Sequence, residues 1–474
     1  MTLLLYVMLM DNSIVRVTQH LRALADAQLP GERLPSVRAL MHDLRVSPVT
    51  VQRALDQLAR QGVLDTRPGR GTFVAVPAKA PDEPASDLAW QSMALGPGRA
   101  LTAALGSLAL APSENATALN VGYLPEELRA TSLLVVASAR AVRRPGIWGR
   151  MPPEGLADLR AWFAAEAGGS YQPHEVTICP GTQAANAAAF RALASPGDPV
   201  LVESPTYLGA IAAARAAGLR LVPVPMDADG VRPDLLADAF KRTGARLFYC
   251  QPTHANPTGA VLSPSRRVAV LDAARAAGAF VVEDDWARDF HFSPPPPPPP
   301  LAADDRDGHV VYVRSLTKSA APGLRIGAIC GRGAVLERLR AARLVDDFFV
   351  PGVLQETALQ LVTAPSWPRH LRALRTALQQ RRDGMVAALH RHFGPECLPT
   401  PPSGGLHLWV RLPDRVSDAE VVAAALTQGI LASAGRDWFP AEAPAPYLRL
   451  SFAAACPDTV DSPIARLAEI VRTF

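Results

Sequence analysis

The stretch Ser315-Leu316-Thr317-Lys318-Ser319-Ala320-Ala321-Pro322-Gly323-Leu324-Arg325-Ile326-Gly327 decides how the chain is read. Lysine occurs only at Lys79, Lys241 and Lys318, although Lys and Arg together number 48. A composition this biased uses Arg wherever either base serves. A lysine kept here points to a task that Arg cannot do. Arg stays protonated and cannot form an imine, whereas a lysine can lose its proton and can. A plain surface lysine is the alternative.

Upstream and downstream of Lys318 the pattern alternates. Apolar strands are expected near Val176–Cys179, Val200–Glu203, Arg220–Val224, Arg246–Cys250, Phe280–Glu283, His309–Val313 and Ile326–Cys330, with Ala-rich helical segments between most of them. That alternation predicts a mainly parallel sheet covered on both faces. Beyond Pro368 a long Arg-rich helix is expected. Strand-like Leu406–Val410, Ile430–Ala432 and Tyr447–Ser451 follow and suit a smaller α+β lobe, largely within 368–474. The seven prolines from Pro294 to Pro300 are stiff. They read as an expanded surface loop, with an SH3-type ligand as the other possibility.

Residues 11–76 form a separate unit. Ile14, Val17, Leu21 and Leu24 recur at helical spacing. Leu29-Pro30-Gly31 breaks that helix. Ser36 and Ser47 can cap a second and a third helix, the third burying Val51, Leu55 and Leu58. Gly62-Val63-Leu64 and Gly71-Thr72-Phe73-Val74 then read as two strands joined by Arg67-Pro68-Gly69-Arg70. Three helices and a hairpin predict a winged helix. Residues 77–118 read as a linker, with 90–118 either continuing it or beginning the next domain, and 119–474 as the α/β domain.

Composition bounds the rest. At 474 residues two or three domains are expected. The apolar stretch Leu3 to Met10 is too short to span a bilayer and lacks the flanks of a signal peptide. Five scattered cysteines without a C-x-x-C pair argue for reduced thiols in a cytoplasm, and against a zinc site or a disulfide frame. The net charge of +4 does not by itself demand nucleic acid. Residues 1–76 carry nine Arg against six acids, a modest local excess.

The N-terminal unit resembles the GntR family of winged-helix regulators. The resemblance rests on Gly31-Glu32-Arg33-Leu34-Pro35-Ser36-Val37-Arg38, on Val46 to Val51, on Gly62-Val63-Leu64 and on Gly69 to Val74. It implies a double-stranded DNA operator read from the major groove. Arg33, Ser36, Arg38, Ser47, Thr50, Gln52, Arg53 and Arg70 are the expected DNA-facing residues, with Ser47 and Thr50 offering free hydroxyls. Solvated surface is the alternative for the arginines. Pro48 and Gln52 stand where many relatives carry Arg, so the operator sequence does not carry over.

The second unit resembles fold-type I pyridoxal-phosphate aminotransferases. The resemblance implies pyridoxal 5′-phosphate held as a Schiff base by Lys318. It places the phosphate among Gly181, Thr182, Gln183, Ser315 and Arg325. Asp284, with Asp285 as second choice, would pair with the pyridine nitrogen. Asn256 of Asn256-Pro257-Thr258-Gly259 would donate to the phenolic oxygen, Tyr207 would stack on the ring, and Arg449 would grip a carboxylate. Trp286 stands where relatives usually place Tyr, although an indole N–H can also donate. Gly209 sits where some relatives place Arg. His407, in Ser403 to His407, lies near the expected site entrance.

Winged helix plus fold-type I domain is the arrangement of the MocR subfamily, which the whole chain resembles. It implies a regulator, commonly a head-to-tail homodimer, that senses pyridoxal phosphate or a small amino-compound effector through an aldimine at Lys318. A working aminotransferase with an accessory DNA-binding unit is the second reading, and a cofactor reservoir the third.

Overall fold

Two serines start the helices of the first unit. Ser36 accepts a hydrogen bond from the Ala39 amide and caps Val37–Leu44, and Ser47 accepts from the Thr50 amide and caps Pro48–Arg60. Each satisfies an N–H that a helix start leaves unpaired. The computed structural model describes residues 2–67, 69–76, 88–95, 116–168 and 171–474. The chain divides into two units, 1–96 and 97–474.

In the first unit, Thr2–Asp26 is the opening helix. Strand β1 (Leu64–Arg67) pairs antiparallel with β2 (Gly71–Val74), Leu64 opposite Val74. The first strand therefore starts at Leu64 and not at Gly62, whose φ of 70° places it in the preceding turn. Val17, Leu21, Leu40, Val51, Leu55, Leu58, Leu64 and Val74 close one core. The winged helix is the predicted one.

Of the expected linker, 77–87 and 96–115 lie outside the described residues. Ala89–Leu95 is helical. Strand β3 (Thr117–Ala118) pairs with a strand of the second unit, so these two residues belong to that unit and not to a linker. There follow β4 (Val176–Cys179), β5 (Pro199–Ser204), β6 (Arg220–Asp227), β7 (Gly230–Val231), β8 (Leu247–Cys250), β9 (Phe280–Asp285), β10 (Val310–Ser315) and β11 (Gly327–Cys330). They form one sheet in the order β4-β11-β10-β9-β8-β5-β6-β7. The centre is parallel, and β11 and β7 run against their neighbours. Strands β4, β8, β10 and β11 are buried at every position, as a sheet covered on both faces requires. Separate apolar clusters fill the two faces.

The long helix Trp367–Phe393 leads into the smaller lobe. There β12 (His407–Arg411), β13 (Ile430–Leu431), β14 (Ser433–Ala434) and β15 (Tyr447–Ser451) follow. β15 lies between β12 and β14, and β13 takes β3 as its partner. The proline run is laid onto the body. Prolines have no N–H but keep their carbonyls: Pro295 O accepts from His291, Pro298 O from Arg288 and Pro299 O from Arg267. Among the described residues no helix is long and apolar enough to cross a membrane, and no group of His, Cys, Asp and Glu could hold a metal ion.

Candidate functional site

In the first unit Arg38, Arg53 and Arg70 are exposed, and none of them pairs with an acid among the described residues. Arg38 lies on the second helix, Arg53 on the third, and Arg70 in the turn of the wing. The free hydroxyls expected at Ser47 and Thr50 are not free. Ser47 Oγ accepts from the Thr50 amide, the two hydroxyls bond each other at 2.8 Å, and Thr50 is buried. Both build the start of the third helix, with Thr50 buried and Ser47 exposed. Ser36 is likewise a cap. Gln52 donates to Asp56 at 2.9 Å. Arg33 lies against the wing, where a Cβ on Gly71 would come within 2.8 Å of its Nε.

In the second unit, loops at one end of the sheet converge on a cavity of about 170 Å³. Lys318, Asp284, Asn256, Tyr207, Thr182, Trp286, Arg449 and His407 all line it, joined by Gly122, Tyr123 and Gln251. Residues up to 327 positions apart in the chain thus meet. Lys318 Nζ donates to Gly122 O at 2.6 Å and stands 3.6 Å from the centre of the Tyr123 ring. Burial first, then the charges of Arg449 and Arg325, push its amine down to about 7. A neutral amine is the nucleophilic form.

Period-two alternation along β9 sorts its three acids. Asp284 faces the cavity. Its Oδ2 accepts from Tyr249 Oη at 2.7 Å, Asn186 Nδ2 at 2.9 Å and Gln251 Nε2 at 3.3 Å. Its Oδ1 is buried without a partner. Burial pushes its pKa up against those three bonds. Asp285 points the other way, to Arg288 and to Tyr312 Oη at 2.7 Å, so the second choice for the ring nitrogen is excluded by direction. Glu283 accepts from the amides of Leu301 and Ala302 and caps the short helix there.

The phosphate-side residues divide. Gly181, at φ 93°, precedes the helix Thr182–Leu193, whose first N–H groups have no side-chain cap. The Arg325 guanidinium is packed so closely that a Cβ on Gly181 would meet Nη2 at 2.8 Å. Arg325 also donates to Pro180 O at 2.6 Å. Ser315 does not line the cavity. Its hydroxyl accepts from the Thr317 amide and directs its proton to Thr317 Oγ1 or Ile326 O. It shapes the lysine loop, and Gly181, Gln183 and Arg325 do not line the cavity either. Gln183 donates to Gly209 O at 2.9 Å. Gly209 needs to be small: a Cβ there would lie 2.4 Å from Tyr207 Cζ.

Trp286 differs from expectation too. Its only side-chain N–H donates to His254 O at 3.1 Å, so the indole has none left for a phenolic oxygen. The indole stacks on His407 at 5.8 Å and 23°. Arg449 is buried on β15, its side chain 4.3 Å over the Trp438 ring. It donates to Asn120 O, weakly to Ser433 Oγ and toward His407 Nε2, while its Nε has no partner. No acid among the described residues pairs with it. Burial pushes this guanidinium down to about 9 and holds His407 well below its ordinary value. Five residues around this site were not expected from the sequence: Tyr249, Asn186, Gln251, Gly122 and Tyr123. Only Tyr249 carried a signal, as a tyrosine inside an apolar strand whose hydroxyl needs a buried partner.

The fold and cavity are those of an aminotransferase domain set behind a GntR-type helix-turn-helix unit. The family model for aminotransferase class I and II matches residues 120–467, and that for bacterial regulatory proteins of the gntR family matches residues 15–74. The HTH-type transcriptional regulator YdfD of Bacillus subtilis is 28% identical over 93% of this chain and 92% of its own length. The probable rhizopine catabolism regulatory protein MocR of Rhizobium meliloti is 26% identical over 84% and 81%. The crystal structure of LysN, the α-aminoadipate aminotransferase of Thermus thermophilus, superposes with a TM-score of 0.73 at 28% identity, covering 79% of this chain and 96% of that one. LysN was crystallised with N-(5′-phosphopyridoxyl)-L-leucine. The chain belongs to the aminotransferase class I and II family and, with its GntR-type unit, to the MocR subfamily of regulators.

Proposed function

We propose that this DNA-binding regulator holds pyridoxal 5′-phosphate in its aminotransferase-like domain and senses the cofactor, or an amino compound that reacts with it, through Lys318. The carrying observation is a set of three unmet demands around one cavity. Lys318 has an amine pushed down to about 7, Asp284 has a buried oxygen with no partner, and Arg449 is a buried cation with no acid among the described residues. An aldehyde, a protonated pyridine nitrogen and a carboxylate are the complements of these three groups. The helix N-terminus behind Gly181, with Arg325 beside it, suits a phosphate. When bound, the cofactor supplies an electron sink. Asp284 would keep its ring nitrogen protonated, Asn256 and Tyr207 would orient the ring, and Arg449 would take the carboxylate of an amino compound.

The regulator works as a homodimer in this reading. Val135 and Val136 of the helix Thr131–Ala141 (51–62% exposed), Trp148 (77%), Val345 (86%) and Phe348 (64%) are large apolar groups left at the surface. Phe348 also holds a φ of 55°, a strained conformation for an aromatic residue. Such groups support a protein–protein contact.

Purified protein given pyridoxal phosphate is expected to develop the visible absorbance band of a Schiff base, and Lys318→Ala to lose it. A wild-type protein without the band would sink the cofactor reading. A panel of amino acids and keto acids then separates sensor from enzyme. A band shift that changes DNA affinity without turnover supports sensing. Sustained amino-group transfer makes the protein an aminotransferase.

A further inference from the structure

Lys318 and Arg449 sit on different elements of the second unit, yet both donate to one short stretch of backbone. Arg449 Nη2 donates to Asn120 O and Lys318 Nζ to Gly122 O. Carbonyls two residues apart thus occupy the donors that the proposed cofactor aldehyde and ligand carboxylate would need. The stretch is tied to the small lobe on its other side. Thr117 N donates to Gly429 O and Leu119 N to Leu431 O, both at 2.8 Å, and Ser451 N donates to Leu119 O at 2.6 Å. Leu119 and Asn120 are buried. Tyr123 carries the Lys318 amine over its ring. In sequence, this stretch is where the chain arriving from the DNA-binding unit enters the cofactor domain.

We propose that residues 117–123 form a strap that reports what the cavity holds to the chain leading back to the DNA-binding unit, because cofactor and carboxylate compete with its carbonyls for Lys318 and Arg449. This rests on the cofactor reading above. Condensation of the neutral Lys318 amine with an aldehyde forms one C=N bond and releases one water, carrying off both amine hydrogens. The Gly122 carbonyl then loses its donor. A carboxylate gripped by two N–H groups of Arg449 draws on the donors that serve Asn120. Loss of a donor from the half-buried Gly122 carbonyl, and of the Arg449 bond to the buried Asn120, is unfavourable, so the strap shifts toward conformations in which water replaces them. Linkage makes the effect reciprocal: whatever loosens the strap favours the ligand.

Hydrogen exchange on the full-length protein tests this with two probes. One is pyridoxal phosphate, which addresses Lys318. The other is N-(5′-phosphopyridoxyl)-L-leucine, which brings a carboxylate to Arg449. The Leu119 and Ser451 amides are expected to exchange about tenfold faster with either probe bound. Unchanged or slower exchange, with binding confirmed by absorbance, overturns the strap and leaves the cofactor reading intact. Failure of both probes to bind overturns the cofactor reading and the strap with it. Thr117→Pro removes the donor to Gly429 O, away from the cavity, and loosens the strap at its linker end. It is expected to bind the phosphopyridoxyl compound several-fold more tightly. Weaker binding would mean that the strap closes on its ligand, and would overturn the proposal. The wild-type exchange experiment stands whether or not this variant folds.

Discussion

Asp284 and Asp285 are neighbours on β9 that serve opposite faces of the sheet. Asp284 reaches the cavity, held by Tyr249, Asn186 and Gln251, while Asp285 is held behind the sheet by Arg288 and Tyr312. Two carboxylates alike in sequence therefore predict different losses. Asp284→Asn is expected to weaken pyridoxal phosphate retention, read as a lower Schiff-base absorbance after dialysis, with folding kept. Asp285→Asn is expected to keep the band but cost about 3 kcal/mol in denaturant unfolding, because it leaves the Arg288 charge without its partner. A band lost in Asp285→Asn and kept in Asp284→Asn would reverse the assignment.

The pH dependence of cofactor capture follows from Lys318. Its amine is held at about 7, below its ordinary value of 10.5. Capture needs the neutral form, so the initial rate of band formation is expected to fall about tenfold per pH unit below about 7, and to level off above it. The slope of stability with pH has the same sign as for a carboxylate of depressed pKa, but here it comes from a burial penalty on the charged form. Between about 7 and 10.5 the unfolded state binds the extra proton, so this group adds stability as pH rises through that window. Lys318→Met is therefore expected to gain most over the wild type below about 7, where the buried amine is charged. Unfolding curves at several pH values measure it.

Gly209 leaves the space that Tyr207 fills. Gly209→Ala would put a methyl group 2.4 Å from Tyr207 Cζ and 2.5 Å from Gln183 Oε1. A loss of about 1–3 kcal/mol is expected from overpacking, together with weaker cofactor retention as the Tyr207 ring is displaced. Thermal unfolding and equilibrium dialysis report the two effects separately.

On the DNA-binding unit, Arg38→Ala and Arg70→Ala are each expected to weaken binding to duplex DNA and to reduce the salt slope by about 1, as loss of one phosphate contact does. Thr50→Ala is expected to act through stability, by about 1 kcal/mol, since its hydroxyl is spent on Ser47. Fluorescence anisotropy across a salt series, beside unfolding curves, separates the contact from the cap.

Trp148→Asp and Phe348→Asp test the apolar surface. Each is expected to shift the mass seen by sedimentation toward the monomer. A dimer unchanged in both variants would place the interface elsewhere.

Much of this was legible in the chain. Strong periodicities revealed both units: helical spacing at Val17, Leu21, Val51, Leu55 and Leu58, and unbroken apolar strands such as Val310–Val313. The motif from Ser315 to Gly327 pointed to Lys318, and the scarcity of lysine strengthened that reading. Ser36 and Ser47 were legible as caps, because capping is a local interaction. The bond between the Ser47 and Thr50 hydroxyls was not legible, because it depends on how the third helix starts.

The inventory was therefore readable along the chain: a winged helix, a parallel-centred α/β domain, and the residue types for an imine, a ring partner and a carboxylate. Direction came from folding. Strand pleat sends Asp284 into the cavity and Asp285 away, the Trp286 N–H goes to His254, and Ser315 turns into its own loop. The carbonyls of Asn120 and Gly122 meet Arg449 and Lys318 from almost 200 residues or more away. Side-chain chemistry is written in the residue type, but hydrogen bonds are spent between groups that only folding brings together. Which groups remain unspent around the cavity is a property of the fold.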